Sequence, residues 1–347
     1  MPARVVPNVI REHAELAAFL WAQRDTLSEQ DLPDPAVIAG LDRRVEVNLD
    51  GLRIAGPAAW RFVAEALEES PGKGELFLAA TLSLEWGDWL HVGATLQVSR
   101  SSADDRGVPG ALAWLSSKVT GRFVRHWLDA GDAYEQWLGA SALLAHRADP
   151  GGRLSGLLAS PDPRLRGTAC RLAGRCGRQD AQPRLEVLLR DPDETVRFSA
   201  AQALAELGHA QGALPELKAA ALAHGSGALA ALRAVVRAGP DKEVRNWFRD
   251  LLGAPDTMGV AIRGAGMLGD RSLLLWLVRQ MRVPALAPPS TAAFLELFPE
   301  ARSMDDLRSQ DAKVLGPGFA DYFGEEMPLL AVADRVKAWS KSMGASG

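Results

Sequence analysis

The chain has 347 residues, 47% of them hydrophobic, a formal net charge of −4 and two cysteines. A net negative chain has no whole-molecule attraction to nucleic acid or anionic lipid, two cysteines cannot build a disulfide framework, and no long uncharged apolar run marks a membrane span. The N-terminus lacks the basic-then-apolar order of a secretory signal, so the expected compartment is the cytoplasm.

In chain order, helices are expected at about 7–26 and, after the breaker Asp31-Leu32-Pro33-Asp34-Pro35, at about 35–49. Further helices are read at Ala58 to Leu67, Glu75 to Leu84, Trp86 to Val98 and Ala111 to Ser117, with a polar turn from Ser99 to Pro109. From about residue 135 the pattern becomes periodic. Gly177, Gly208 and Gly239 stand 31 residues apart, and Gly269 falls one residue short of the next step. Each glycine is expected to end a helix in the left-handed conformation. Counting back from them, Ala169, Ala200, Ala231 and Ala261 form one column, and Cys170, Ala201, Leu232 and Ile262 the next. Ala173, Leu204, Val235 and Ala265 form a third, and Cys176, Leu207, Ala238 and Leu268 a fourth. Their spacing of three, four and seven makes one or two adjoining helical stripes, and the column of alanines lets helices approach closely. Ser160-Pro161-Asp162-Pro163 and Asp191-Pro192-Asp193 are turns with an Asp placed to cap the next helix. A self-similar unit of this length is the signature of stacked helical hairpins. Pro284 breaks the repeat, Pro288-Pro289-Ser290 opens a last helix over Thr291 to Leu297, and 299–347 loses the period. There Gly316-Pro317-Gly318 is a loop, Val332 to Met343 a closing amphipathic helix, and Gly344 to Gly347 a frayed end.

The segments Leu157-Leu158 to Gly177 and Leu188-Leu189 to Gly208, with Asp162/Arg166 and Asp193/Val196/Arg197, resemble HEAT repeats of the short, phycobilin-lyase-like type. The resemblance implies an all-α, right-handed α-solenoid of HEAT-like hairpins. It also implies a ladder between repeats made by Asp162, Arg166, Asp193 and Arg197, broken where the third repeat has Ala228. More narrowly, Glu12-His13-Ala14-Glu15 with Ala17-Ala18-Phe19-Leu20-Trp21 resembles a bacterial group of HEAT-repeat proteins of no assigned activity, often encoded beside type VI secretion components. Leu41-Asp42-Arg43-Arg44-Val45-Glu46 and Leu49-Asp50-Gly51-Leu52-Arg53 add to that likeness. The expected organisation is an N-terminal helical cap over 1–55, a solenoid over 56–300 that is most regular over 135–300, and a C-terminal cap and tail over 301–347. Stacks need such atypical ends to shield the terminal core.

Chemistry-bearing patterns are few. The six histidines, His13, His91, His126, His146, His209 and His224, stand in no metal-ligand spacing. His13, between Glu12 and Glu15, is read on a solvated helix face. Cys170 and Cys176 are six residues apart on one helix, about 240° around its axis, and are read as core residues. Gly264-Ala265-Gly266-Met267-Leu268-Gly269 is spaced like a dinucleotide fingerprint but has no strand before it. No catalytic, cofactor or metal site is expected, and the protein is expected not to be an enzyme.

Two polar features stand out. Arg171, Gln202, Arg233 and Arg263 form one column, and Arg175, Glu206, Arg237 and Met267 another, both off the apolar stripe of the second helices. The resemblance places them on the inner, concave side. From Arg147 to Arg197 there are ten arginines against seven acidic residues, a local basic excess suited to carboxylates or phosphates. The same arginines could instead pair with Asp and Glu of neighbouring hairpins. The second feature is tryptophan, with ten against two tyrosines. Trp86 and Trp89 would share a helix face and, if exposed, anchor a partner; Trp114, Trp127 and Trp137 follow in the irregular half.

Three functions fit this pattern. The first is a non-enzymatic scaffold or adaptor holding another protein, which the narrower resemblance would make a secretion-system component, a carrier or an effector, in the last case as an immunity protein. The alternative is a nucleic-acid-binding, DNA-glycosylase-like protein with an arginine-lined groove, against which the net charge argues. The third, a lyase acting on a bound pigment, rests on the repeat's name alone. Oligomeric state is not legible in the sequence.

Overall fold

The computed structural model describes residues 6–129, 132–223, 225 and 227–344. His224 and the last three residues of the tail, about which sequence expectations were stated, lie outside the described residues. The chain divides into two compact units, Met1–Leu207 and Gly208–Gly347.

Among the described residues of the first unit the regular elements are all helices: α1 (Pro7–Ser28), α2 (Pro35–Ala55), α3 (Trp60–Glu69), α4 (Lys73–Trp86), α5 (Trp89–Ser101), α6 (Gly107–Trp114), α7 (Ser117–Asp129), α8 (Ala133–Ala145), α9 (Leu154–Leu158), α10 (Pro163–Arg175), α11 (Gln182–Leu188) and α12 (Glu194–Glu206). The second unit has α13 (Leu214–Leu222), α14 (Ala228–Ala238), α15 (Asp241–Leu251), α16 (Pro255–Met267), α17 (Leu274–Gln280) and α18 (Ala287–Leu297). A short end region follows with β1 (Arg308–Ser309), α19 (Ala312–Leu315), α20 (Phe319–Phe323), β2 (Leu330–Ala331) and α21 (Ala333–Gly344).

Within each unit the even-numbered helices stack on one another. In the first, α4 packs on α6, α6 on α8, α8 on α10 and α10 on α12; in the second, α14 packs on α16 and α16 on α18. Each odd-numbered helix lies against its even-numbered partner. This is the arrangement of an all-α helical-repeat solenoid. The columns explain it: Ala169, Ala200, Ala231 and Ala261 are all essentially inaccessible, as are Cys170, Ala201, Leu232 and Ile262. The fourth column is looser, with Leu207 buried but Cys176, Ala238 and Leu268 only half-buried. Asp132, Asp162 and Asp193 cap α8, α10 and α12 by accepting backbone N–H groups of the first turn.

Helix ends follow the glycine column with one exception. Gly177, Gly208 and Gly269 adopt φ of 65°, 88° and 74°, and the Arg178 N–H reaches back to the Ala173 carbonyl at 2.9 Å across Gly177. Gly239 instead has φ −77° and extended backbone. A Cβ there would press on Val244 and on the Val235 carbonyl, so this glycine serves close packing rather than a left-handed cap. Conversely, Arg147 closes α8 at φ 52°, with Ala148 N–H bonded to Leu143 O at 2.8 Å, the same end geometry without a glycine.

The irregular half departs most from expectation. Trp86 to Val98 is not one helix. Gly87, at φ 70°, ends α4 after Trp86, and Asp88 caps α5, which begins at Trp89. The polar turn shrinks to 102–106, because α5 runs on to Ser101 and α6 takes Pro109 into its first turn. Helix α6 stops at Trp114, and α7, which the sequence reading passed over, follows from Ser117.

Glycines set the close approach of α1, α4 and α6. A Cβ on Gly74 would collide with the Ala18 backbone, and one on Gly107 with the Lys73 carbonyl and the Phe77 amide. Backbone atoms yield poorly, so Gly107→Ala should lose about 1–3 kcal/mol to overpacking, more than the roughly 1 kcal/mol that alanine gains in helix propensity. Gly93→Ala meets nothing within 4 Å and should gain up to about 1 kcal/mol. Urea titration of both variants would show opposite shifts of midpoint; equal shifts would refute the packing account.

The end region is held by β1 and β2, antiparallel with Arg308 opposite Ala331, and by the Thr291 hydroxyl accepting the Ala331 N–H at 2.9 Å. Trp339 of α21 packs edge-on against Phe294 and Phe298. Among the described residues no helix is long and apolar enough to cross a membrane.

Candidate partner-binding pocket

Helices α1, α6, α8 and α10 of the first unit border an open pocket of about 490 Å3. Helix α6 contributes Gly110, Ala113 and Trp114, α8 contributes Trp137, Ser141 and Leu144, and α10 contributes Arg164 and Arg171. These spacings of three, four and seven place each set on one helix face. Trp21, Arg24 and Asp25 of α1 and the turn residues Asp105 and Arg106 also line it. Trp21 is wedged in place, its ring stacked on Phe77 at 4.4 Å and its edge against Gly110, where a Cβ would overlap it.

Most charges here are compensated. Arg24 bonds Asp42 at 2.9 Å, and Asp25 takes Lys73 at 2.7 Å and Arg106 at 3.3 Å. Arg106 also grips Asp104 at 2.8 Å and Glu29, and these partners push its pKa up while holding the Asp104 carboxyl below the usual carboxylate range. Arg164 pairs with Asp105 at 2.9 Å and sits over the Trp137 ring, its guanidinium carbon 3.8 Å from the ring centre. The Trp114 indole N–H donates to Glu46 at 2.5 Å.

Arg171 differs. Its one hydrogen bond is to the Thr168 hydroxyl at 3.0 Å, and no carboxylate lies within ion-pair distance among the described residues. It stays open to water, yet the pocket walls crowd it, and this desolvation draws its pKa below the usual guanidinium value.

The other expected site residues are dispersed. Arg175 is exposed and unpaired among the described residues, whereas Gln202 of α12 is half-buried. In the second unit Arg233 and Arg263 converge on Glu296, Arg233 at 2.5 Å, with the Arg263 side chain only 6% exposed. Those two guanidiniums follow the pairing alternative. Arg237 is exposed, without an ion pair among the described residues.

Trp86 and Trp89 do not share a helix face. Trp86 is half-buried with its ring edge to Trp60, while Trp89 is 45% exposed and leans on Phe123 and His126. The ladder is also displaced. Asp162 and Asp193 act as helix caps, and the carboxylate that Arg166 grips is Asp191, through two bonds of 2.8 Å. Arg166 and Arg197 each donate to two carbonyls of their own turn, Ser160 and Pro161 or Asp191 and Pro192.

His13 is half-buried and bonded through Nδ1 to Asn48 at 2.9 Å against Gly51, not on a solvated face, because α2 packs over it. Cys170 is buried, which pushes its thiol up to about 12, and Cys176 is a half-buried free thiol. Thiols held protonated are poor nucleophiles. Gly264 and Gly266 lie in the last turn of α16, against the Phe248 ring and the Ala293 backbone. No group of three His, Cys, Asp or Glu among the described residues could hold a metal ion.

The pocket-lining Trp114, Trp137 and Arg164 were missed as site residues. The signal lay in the column containing Arg171: α8 sits 30 residues before α10, so Ser141 precedes Arg171 in register.

With the geometry in place, comparison with known families adds one finding. Residues 152–253 match the sequence model of HEAT repeats. The matched segment runs from the start of the α9–α10 hairpin into the second unit. No curated protein matches the chain.

Proposed function

We propose that the protein is a non-enzymatic scaffold or adaptor whose inner helices hold another protein. HEAT repeats commonly serve protein interaction, and the segment that matches them carries Arg171 and Arg175, exposed with no carboxylate partner among the described residues. The unpaired Arg171 in a tryptophan-walled pocket is the observation that carries this reading. The N-terminal likeness to proteins encoded near type VI secretion components supports a finer reading, in which the partner is a secretion component, carrier or effector and the setting is cytoplasmic.

Affinity capture from native lysate, with wild type and an Arg171→Glu/Arg175→Glu double variant, tests the scaffold. A protein partner held by wild type and lost by the variant is the expected result. Nucleic acid released by high salt, in place of protein, would overturn it. The same protein in both captures would move the interface away from this face, with the exposed Trp89 next in line.

A further inference from the structure

We propose that the pocket between α6, α8 and α10 takes an acidic side chain from an extended segment of the partner protein. Arg171 grips the carboxylate, and a neighbouring apolar side chain of the segment seats against Trp114 and Trp137. This rests on the scaffold reading and narrows it to one site and one ligand chemistry.

Arg24, Arg106 and Arg164 each already hold a carboxylate, so among the described residues Arg171 alone of the pocket's arginines lacks a counter-charge. A guanidinium without a counter-charge gains most from a carboxylate that accepts two parallel N–H bonds. Desolvation also lowers the Arg171 pKa, the direction expected where walls displace water without returning an opposite charge. The two indoles supply rigid apolar surface, and Arg164 lying on Trp137 fixes that ring. A volume of about 490 Å3 is the size of a small-ligand site, so it suits a few residues of an extended peptide rather than a folded surface.

A nucleic acid fits less well. Its repeating phosphates need several free cations, whereas Asp25 and Asp105 line the same pocket and Glu46 holds the Trp114 indole. One carboxylate needs one arginine.

The test uses the full chain as target for a display library of random twelve-residue peptides. The enriched peptides are then synthesised and their affinities read by fluorescence polarisation. Enriched sequences should share an Asp or Glu beside a large apolar residue. Arg171→Ala, and Glu→Gln in the peptide, should each weaken binding about tenfold or more, as for loss of a charge-assisted bond. Arg190→Ala, at an exposed position outside the pocket, should leave affinity within about twofold. Arg171→Glu should favour peptides carrying Lys at the acidic position. Ser141→Trp fills the pocket while leaving Arg171 intact, and should also abolish binding, which guards against a folding defect in any Arg171 variant.

Enriched peptides without an acidic position, indifference to Arg171→Ala or to Ser141→Trp, or no enrichment at all would overturn the proposal. The scaffold reading would survive any of these, since it fails only when the lysate capture yields no protein partner. A twelve-nucleotide single strand whose binding falls with Arg171→Ala and with salt would overturn the proposal in favour of nucleic acid.

Discussion

Arg166→Met is expected to lower the stability of the first unit by about 3–5 kcal/mol, the range for breaking a buried ion pair by removing one partner. Arg166 and Asp191 are 11% and 6% exposed and joined by two bonds of 2.8 Å across successive repeats. Methionine fills a similar volume, so the loss reports the stranded Asp191 carboxylate rather than a cavity. The effect depends on pH in a defined direction. The Arg166 guanidinium holds the Asp191 carboxyl below its ordinary value. A depressed carboxylate pKa contributes stability that is present above the unfolded value, about 3.9, and is lost as pH falls through the folded one. The gap between wild type and Arg166→Met should therefore be full near pH 7 and narrow below about pH 4. Urea melts at several pH values measure it, and a gap that stays constant down to pH 3 would sink the ladder account.

Glu296→Leu should cost the second unit a comparable amount, about 3 kcal/mol or more. Glu296 on α18 meets Arg233 of α14 and Arg263 of α16, so one carboxylate ties three successive stacked helices. Its removal strands a guanidinium that is only 6% exposed. Arg237→Ala, at an exposed position of α14, should change stability by less than about 0.5 kcal/mol. Combining Glu296→Leu with Arg263→Met removes both buried charges and should recover most of the loss. Denaturant titration of the two single variants and the double variant decides the matter. A double variant as unstable as the sum of its parts would show that the side chains do not act as a unit. The cluster also explains why charge reversal at Arg233 or Arg263 tests folding, whereas Arg171 and Arg175 test binding.

Legibility followed the range of the interactions concerned. The apolar columns were visible because each depends on spacing of three or four along one helix. The hairpin ending at Arg147 was hidden from a glycine count, although it has the same closing hydrogen bond as the one ending at Gly177. Trp86 and Trp89 were joined on one imagined helix because a Gly-Asp pair reads as a turn only when its left-handed φ and its cap bonds are seen together. The ladder was displaced by two residues for a similar reason. Asp191 and Asp193 flank the same proline, and only the stacking of α12 on α10 shows which faces Arg166.

The sequence by itself determined the class of fold, the hairpin period, the buried alanine column and the basic excess around α10, all consequences of local periodicity and composition. Tertiary structure decided which arginines remain available. Arg171 and Arg233 occupy the same column, yet Glu296, 63 residues beyond Arg233, reaches one while no carboxylate among the described residues reaches the other. Ion pairing falls off over a few ångströms, and which carboxylate comes that close is set by helix stacking rather than by position in the chain.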